Sequence, residues 1–532
     1  MSFGPGWQRL LLASPIFARE LRQALRTGRV VALVLGSAVL IGLFTFAVAS
    51  AFGLGKAQIA FGPVLFQVFF SLAYFTIAIV APCLGAIAVA SEKERRTWEG
   101  LVLTGMGPRA VVLGAFATTG LAVLAFILMI APASTLCVVL GGVSTSEIVF
   151  AFVLLLAIAF VGVAHGVTIG AWARGTATAT LAALASALFG ALLLYFAVGI
   201  GFSFLAHATW PGVPNGFPVW LPLAYARARL DGWYLLLLVA VPLALLATAL
   251  WFLFETARLE LSDPWDDRST GRKRWFLVSL PLVSGVALIP GLMTRGADRL
   301  GAFLGGMGGL FAFIVFCTFV FASDPLAASR RVEAAWHRSQ ARWPSRVLGP
   351  GLVQTCLLVL VSGLLALGLF ALAGAAVLWR GGPRGLPSPA ATGLLACGES
   401  WSAFLVFIVG FLLWSRLRAG SVAGARVLSI AVTTFAVAAP WVAFVVASYG
   451  PTKRVYEPLL FASPSPLYAF SVIAAIERGE PHLALTSGLF CSLGWISMGI
   501  ALFGLGARRA TKIVAERRTR RAELDERVAR EA

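Results

Sequence analysis

Residues 64–90 read VLFQVFFSLAYFTIAIVAPCLGAIAVA, a run in which no side chain carries a charge. A helix of about 20 apolar residues crosses the hydrocarbon core of a bilayer, so this run is long enough to span a membrane. Comparable windows lie at 30–54, 110–140, 148–171, 175–201, 232–254, 276–293, 300–322, 349–379, 391–415, 427–449 and 484–506. The sequence therefore predicts an all-α polytopic membrane protein of about twelve transmembrane helices.

The charge composition is that of a membrane protein. Charged residues make up 12% of the chain and hydrophobic residues 59%, whereas soluble domains carry about 25% charged residues. The net charge of +19 does not predict a nucleic-acid partner, because basic residues are retained in the cytoplasmic loops of membrane proteins. Most of the 42 Lys and Arg residues fall in alternate loops. We expect cytoplasmic N- and C-termini, and the Arg-, Ala- and Gly-rich composition suggests a bacterial cytoplasmic (inner) membrane.

The spans divide into two halves with landmarks in the same order. We place a first six-span domain at residues 1–260, a second, divergent one at 261–507, and a charged cytoplasmic tail helix at 508–532. In each half a basic segment follows the second span, and a carboxylate, Glu147 or Glu399, opens the fourth. The long outer loops at 202–230 and 449–482 are apolar enough to predict re-entrant helices, and ordinary interfacial loops are the alternative. For both carboxylates we expect a solvated helix start rather than a proton relay.

A short charged segment follows the second span. In Ser91-Glu-Lys-Glu-Arg-Arg-Thr-Trp-Glu99, Ser91 and Glu94 have the spacing of a capping box, which marks a helix start. Gly105 and Pro108 then favour a reversal of the chain. The sequence predicts a cytoplasmic handle helix between two spans, and a solvated hairpin is the alternative.

The N-terminal segment predicts an amphipathic helix in the membrane interface. Ser14-Pro15 is a favourable helix start, after which apolar residues share one face and arginines the other. The residues of this predicted elbow helix are Pro15, Phe17, Arg19, Glu20, Leu21 and Arg22.

Together the elbow and the handle resemble permease subunits of the type-2 ATP-binding-cassette (ABC) exporter family. Members often begin with Asn- or Ser-Pro and an Arg-Glu-Leu-Arg-like run, which is similar to Arg19-Glu20-Leu21-Arg22 here. The family pattern Glu-Arg-Glu-x-Gly-Thr-x-Glu-x-Leu is similar to residues 92–101, with Arg96 in place of the usual Gly. The plan of six spans per half also resembles the family.

The resemblance implies that the handle is a coupling helix, which contacts a cytoplasmic ATPase subunit. Its residues here are Ser91, Glu92, Glu94, Arg95, Arg96, Thr97, Glu99 and Leu101. The second half lacks the Thr-x-Glu pattern, and a second candidate coupling region is offered by Arg330, Arg331, Glu333 and Trp336. Export is the direction that the family implies.

The chain is not expected to be an enzyme. Its nearest approach to a phosphate-binding loop, Gly53-Leu-Gly-Lys56-Ala, lacks the terminal hydroxyl residue and the required length. The resemblance implies that ATP and Mg are bound by a partner, namely two copies, or a pair, of a nucleotide-binding ATPase subunit. The 4 histidines are too scattered for a metal site or a catalytic dyad, and the 6 cysteines lack paired spacing. We predict no catalytic, cofactor-binding or metal-binding residues.

Two other classes of protein remain open. Two sets of six spans also describe ion-coupled secondary transporters of the major-facilitator type, which would show buried coupling charges and a long central cytoplasmic loop. A non-transporting membrane scaffold or a membrane-embedded enzyme would show a large extramembrane domain or a polar catalytic cluster. The substrate is left open, because a path lined by apolar and small residues suits lipids, peptides, drugs or lipid-linked glycans.

Overall fold

A computed structural model of the chain describes residues 36, 39, 42–43, 61–95, 107–213, 221–263, 265–296, 298–338, 349, 351–379, 388–449, 459–477 and 481–531. All regular structure in these residues is helical. The helices are α1 (Phe61–Glu94), α2 (Pro108–Val139), α3 (Thr145–Trp172), α4 (Thr176–Leu193), α5 (Ile200–Thr209), α6 (Leu221–Arg227), α7 (Val241–Leu261), α8 (Thr270–Met293), α9 (Asp298–Phe321), α10 (Arg330–Arg338), α11 (Leu352–Trp379), α12 (Pro389–Arg418), α13 (Val422–Ser448), α14 (Ala469–Glu477) and α15 (Pro481–Glu531).

Two π-helical segments lie in the first half of the chain. Leu194–Gly199 joins α4 to α5, and Tyr234–Ala240 leads into α7. Each therefore belongs to a longer continuous helix, Thr176–Thr209 and Tyr234–Leu261.

Eleven helices of the described residues are long and apolar enough to cross a membrane. Each coincides with one of the predicted windows from 64–90 onward, so the prediction of a multi-pass α-helical membrane protein is confirmed. The first window, 30–54, lies almost wholly outside the described residues, of which Gly36, Val39, Gly42 and Leu43 are helical. Every predicted span from 64–90 onward is thus present as a long apolar helix.

The chain divides into two compact units, Met1–Asp263 and Pro264–Ala532. The division falls in the charged stretch between α7 and α8, beside the boundary that the sequence predicts at 260.

In the first unit, α1 and α3 pack backbone against backbone. A Cβ atom on Gly166 of α3 would collide with the Pro82 carbonyl of α1, and one on Gly85 would collide with the Val163 carbonyl. Small residues permit such close approach between membrane helices. Buried aromatic side chains, among them Phe69, extend this contact, so α1 is held along most of its length.

In the second unit, α12 is the most deeply buried span. Gly410 of α12 meets the backbone of Gly499 on α15 so closely that a Cβ atom would collide. The ring of Trp495 on α15 lies 5.2 Å from Phe404 and 4.6 Å from Phe407 of α12 between ring centroids. These contacts fix α12 and α15 against each other.

The predicted tail helix at 508–532 is helical as far as Glu531, but it is not a separate element. It continues the last span without a break, as one 51-residue helix, Pro481–Glu531. The Ala-, Arg- and Glu-rich sequence after the span has high helix propensity, so the helix has no reason to end at the membrane surface.

Both long outer loops contain short helices where the structure describes them. In the first unit these are the end of α5 and the isolated α6. In the second unit they are the short turns Leu460–Ala462 and Pro466–Tyr468, followed by the apolar helix α14.

Candidate functional site

The handle predicted after the second span begins differently from the expectation. Ser91 lies in the last turn of α1, where its carbonyl accepts a hydrogen bond from the Arg95 N–H at 3.1 Å. Ser91 and Glu94 therefore do not form a capping box, and the prediction of a helix start at Ser91 is wrong. The apolar helix continues through Glu92 and Lys93 to Glu94. Other predicted residues lie outside the described part of the chain, namely Arg96, Thr97, Glu99 and Leu101 of the handle and Pro15, Phe17, Arg19, Glu20, Leu21 and Arg22 of the elbow.

The charged end of α1 binds the turn between α3 and α4. Lys93 Nζ donates to the carbonyl oxygens of Ala171 at 2.7 Å and Ala173 at 2.6 Å, at the C-terminus of α3. Glu94 Oε2 accepts from the backbone N–H of Thr176 at 2.9 Å, and also from its hydroxyl, at the N-terminus of α4. A cation at a helix C-terminus and an anion at an N-terminus both complement the helix dipole. This Lys93–Glu94 clamp ties three helices together.

The second candidate coupling region forms a helix of its own. Arg330, Arg331, Glu333 and Trp336 all lie on α10 (Arg330–Arg338). Ser329 caps its start, because the Ser329 hydroxyl accepts from the Val332 N–H at 3.3 Å. Of the two candidate coupling regions, this one is the more divergent in sequence. The structure nevertheless shows a charged helix there.

Three contacts hold α10 in place within the second unit. Ser329 Oγ donates to the Trp265 carbonyl at 2.7 Å, and Arg331 forms a 3.2 Å ion pair with Asp266. Glu333 pairs with Arg518 of the long helix α15 at 3.0 Å. The two ion pairs are exposed, so each contributes about 1 kcal/mol or less. They orient α10 without fixing it rigidly.

A buried polar cluster lies where α8, α9 and α11 meet. Asp324, which is 0% exposed, accepts from Arg272 Nη2 at 2.9 Å and from the hydroxyls of Ser269 at 2.8 Å and Thr355 at 2.7 Å. Lys273, also fully buried, donates to the Gly349 carbonyl at 2.6 Å. A carboxylate with three donors is well compensated for its burial. The cluster fixes the segment that leads from α9 to α10.

Glu147 has the predicted position but not the predicted environment. It lies in the first turn of α3, where its carboxylate accepts from the Ser144 N–H at 2.9 Å and Ser144 Oγ accepts from the Glu147 N–H at 3.3 Å. The carboxylate is buried, and it pairs with Arg227 Nε of α6 at 2.6 Å. The expected helix start is therefore confirmed, and the expected solvation is wrong.

The same contact region anchors the outer loop of the first unit. Tyr225 of α6 stacks on Phe150 of α3 with a centroid distance of 5.4 Å, and its carbonyl accepts from the Tyr234 hydroxyl at 3.0 Å. Burial and the neighbouring Tyr234 phenol raise the pKa of Tyr225 to about 12. Tyr225 thus stays neutral, and α6 is a packed part of the unit.

Glu399 does not open its span. Helix α12 begins at Pro389, where Ser388 caps it by accepting from the Ala391 N–H at 3.2 Å. Glu399 therefore lies ten residues along the helix, which is about 15 Å at 1.5 Å per residue. Its side chain is accessible and lines a cavity of about 400 Å³ within the second unit. The prediction that Glu399 opens its span is therefore wrong, whereas its side chain is exposed as expected.

The outer-loop segment 463–468 forms one wall of this cavity, and three indoles from three helices hold it. Trp495 Nε1 donates to the Pro464 carbonyl at 2.9 Å, Trp441 Nε1 to Ser465 Oγ at 3.1 Å, and Trp401 Nε1 to the Pro466 carbonyl at 3.1 Å. These tryptophans belong to α15, α13 and α12. The segment is a preorganised part of the unit.

The sequence did not predict the tertiary contacts that Lys93, Asp324, Arg272 and Lys273 form. A signal was present in each case, since these charges stand directly at the ends of apolar runs. Charged residues in such positions commonly bind helix ends or each other. Their particular partners depend on which helices are neighbours, and this the sequence pattern does not specify.

The fold defines the class of protein: a multi-pass α-helical membrane protein. A scan of known protein families gives no match for this chain. A comparison with curated proteins gives no match either. Among the described residues, no group of three or more His, Cys, Asp or Glu side chains is placed to hold a metal ion.

Proposed function

We propose that this chain is the membrane-spanning permease subunit of an ABC transporter of a bacterial cytoplasmic membrane, acting as an exporter. ATP and Mg would be bound by two separate cytoplasmic ATPase subunits. The observation that carries the proposal is α10. This charged helix follows the second span of the second unit, at the same place in the predicted span order as the family-like residues 92–101 of the first.

The contacts around α10 suit a helix that passes movement to the spans. The buried Asp324 cluster joins α8 and α11 to the segment that leads to α10. Displacement of α10 by a partner would therefore act on several spans together. In the first unit, the Lys93–Glu94 clamp would act in the same way on α1, α3 and α4.

The first test of the proposal is to identify the ATPase subunit. The tagged chain is purified from its native membranes in a mild detergent, after light crosslinking. We expect a protein with a phosphate-binding loop to co-purify at two copies per chain. Recovery of the intact chain without any such ATPase would contradict the proposal.

The contribution of α10 is tested by charge reversal. Arg330→Glu with Arg331→Glu reverses two charges on α10, and we expect recovery of the ATPase subunit to fall at least tenfold. The matched control, Arg527→Glu with Arg530→Glu, makes the same change near the end of α15, where both side chains are exposed. Equal loss of the ATPase in both variants would mean that α10 is not the contact.

A second function, ion-coupled secondary transport, is favoured by one observation. Glu399 is an accessible carboxylate within the candidate membrane-spanning helix α12, and intramembrane carboxylates often serve as ion or proton sites. Liposomes that contain this chain alone would then take up a solute when a proton or sodium gradient is imposed. Gradient-driven uptake from a panel of labelled amphipathic solutes, in the absence of any ATPase, would favour this function over the first.

A further inference from the structure

The cavity of the second unit has the size of a site for a small organic molecule. Its volume of about 400 Å³ lies within the range of about 300–1,000 Å³ that is usual for ligand pockets. α12, α14, α15 and the segment 463–468 supply its walls. All of these walls belong to the second unit.

Glu399 is the charged group among the described residues that line this cavity. The hydrogen bond that it forms with them comes from Ser492 Oγ to Oε2 at 3.1 Å. Within the described part of the chain, no basic side chain forms an ion pair with Glu399, and none lines the cavity. Glu147, by contrast, is paired with Arg227. A carboxylate within a membrane-spanning helix is costly without a countercharge, and a cationic ligand would supply that countercharge.

The other lining groups suit an organic cation better than a bare metal ion. Aromatic rings, Tyr468 and Trp495, stand in the lining beside apolar side chains such as Leu395 and Val472. Aromatic rings attract ammonium groups, and quaternary ammonium ions are often recognised in this way. A metal ion needs several oxygen ligands around it. The lining offers one carboxylate and several hydroxyls, and those of Ser492 and Ser465 already donate hydrogen bonds within the protein. An ammonium group on an apolar body therefore suits the lining better.

The walls are held in position before any ligand enters. Trp495 is oriented by its hydrogen bond to the Pro464 carbonyl at 2.9 Å, and the Tyr468 hydroxyl shares a 3.1 Å hydrogen bond with Ser487. Preorganised walls reduce the entropy lost on binding. Trp495, which is partly exposed, therefore needs little rearrangement to contact a ligand, whereas Tyr468 is 2% exposed.

We propose that this cavity binds a small organic ammonium ion with an apolar substituent, with Glu399 as its counter-ion. Trp495 contacts the cationic head, and aliphatic side chains such as Leu395 contact the substituent. The inference concerns binding alone and does not depend on whether ATP or an ion gradient powers the protein.

The test is equilibrium binding of tritiated benzyltrimethylammonium to the purified full-length chain in detergent micelles. Protein-free micelles give the background. We expect saturable binding to the wild type and an affinity at least tenfold weaker in Glu399→Gln, which keeps the shape and the hydrogen bond from Ser492. Glu523→Gln, which makes the same change at an exposed residue of α15 outside the cavity lining, is expected to stay within threefold of the wild type.

A control with an uncharged ligand tests the proposal on the wild-type chain alone, so it does not depend on whether Glu399→Gln folds. Neopentylbenzene has the shape of the probe without the charge, and its free concentration is measured in protein-free micelles. It should not displace the probe from the wild-type chain. No saturable binding to the wild type, equal binding by a folded Glu399→Gln chain, or displacement by neopentylbenzene would each overturn the proposal.

Discussion

Three glutamates in this chain have different roles because their partners differ. Glu94 binds the N-terminus of α4, Glu147 binds its own helix start and an arginine, and Glu399 faces a cavity. All three stand in short polar stretches beside apolar runs. The first two are satisfied within the protein, so only the third has its charge available for a ligand.

Replacing Glu147 is expected to destabilise the first unit modestly. Glu147→Ala removes a capping box and a half-exposed ion pair, so we expect the free energy of unfolding to fall by about 1–2 kcal/mol. Glu147→Gln keeps an oxygen that can accept from the Ser144 N–H and should lose less. Thermal unfolding followed by tryptophan fluorescence measures both, and equal losses would show that the cap contributes nothing.

Replacing Asp324 is expected to have a much larger effect. Asp324→Asn leaves Arg272, which is 5% exposed, without its countercharge, and breaking a buried pair costs about 3–5 kcal/mol. The control, Asp298→Asn, removes an exposed carboxylate from the start of α9 and should leave the unfolding temperature near that of the wild type. Similar unfolding temperatures for the two variants would argue against the cluster as a stabilising element.

At the level of elements, contacts at helix ends decide which helices are tied together. The Lys93–Glu94 clamp joins the end of α1 to the C-terminus of α3 and the N-terminus of α4. In the second unit, the Asp324 cluster joins α8, α9 and α11 near their charged ends. Both units thus have a polar contact where their second span ends, built from different residues.

The clamp predicts a local change in hydrogen exchange. Lys93→Met removes both hydrogen bonds to the carbonyls of Ala171 and Ala173, so the turn at 172–176 should open more often. We expect faster backbone amide exchange in this turn, measured by mass spectrometry on the purified chain. Arg95→Gln, which changes an exposed neighbour, should leave the exchange unchanged. An unaltered rate in Lys93→Met would mean that the clamp does not hold the turn.

The sequence predicted the helices well and their boundaries less well. Long apolar runs are expected to form helices in a membrane, because a helix pairs its backbone N–H and C=O groups within one segment and no water is present to pair with them. The prediction of a helix start at Ser91 was wrong because it relied on the capping-box spacing of Ser91 and Glu94. The upstream apolar helix continues past Ser91 instead. The prediction of a helix start at Glu399 was wrong because Ser388-Pro389, about ten residues earlier, is the better helix start. The partners of Lys93 and Asp324 follow from helix packing, which a single sequence does not reveal.

At the scale of the whole molecule, the predicted orientation can be measured directly. Val528 and Tyr449 are exposed, and the loop charges predict that they face the cytoplasm and the outside, respectively. We expect Val528→Cys to react with a membrane-impermeant maleimide only in inverted vesicles, and Tyr449→Cys only in intact cells. The unaltered chain is the control, since four of its cysteines are buried. The reverse pattern would invert the orientation and remove α10 from the reach of a cytoplasmic ATPase.

The 51-residue helix α15 has a mechanical consequence. Its part beyond the apolar run, residues 507–531, would extend about 37 Å at 1.5 Å per residue, so a tilt of about 10° in the membrane would move its far end by about 6 Å. Arg518, near the middle of this extension, pairs with Glu333 of α10. The helix is thus a lever arm that would magnify a small rotation of the last span into a displacement that a pair of spin labels could detect.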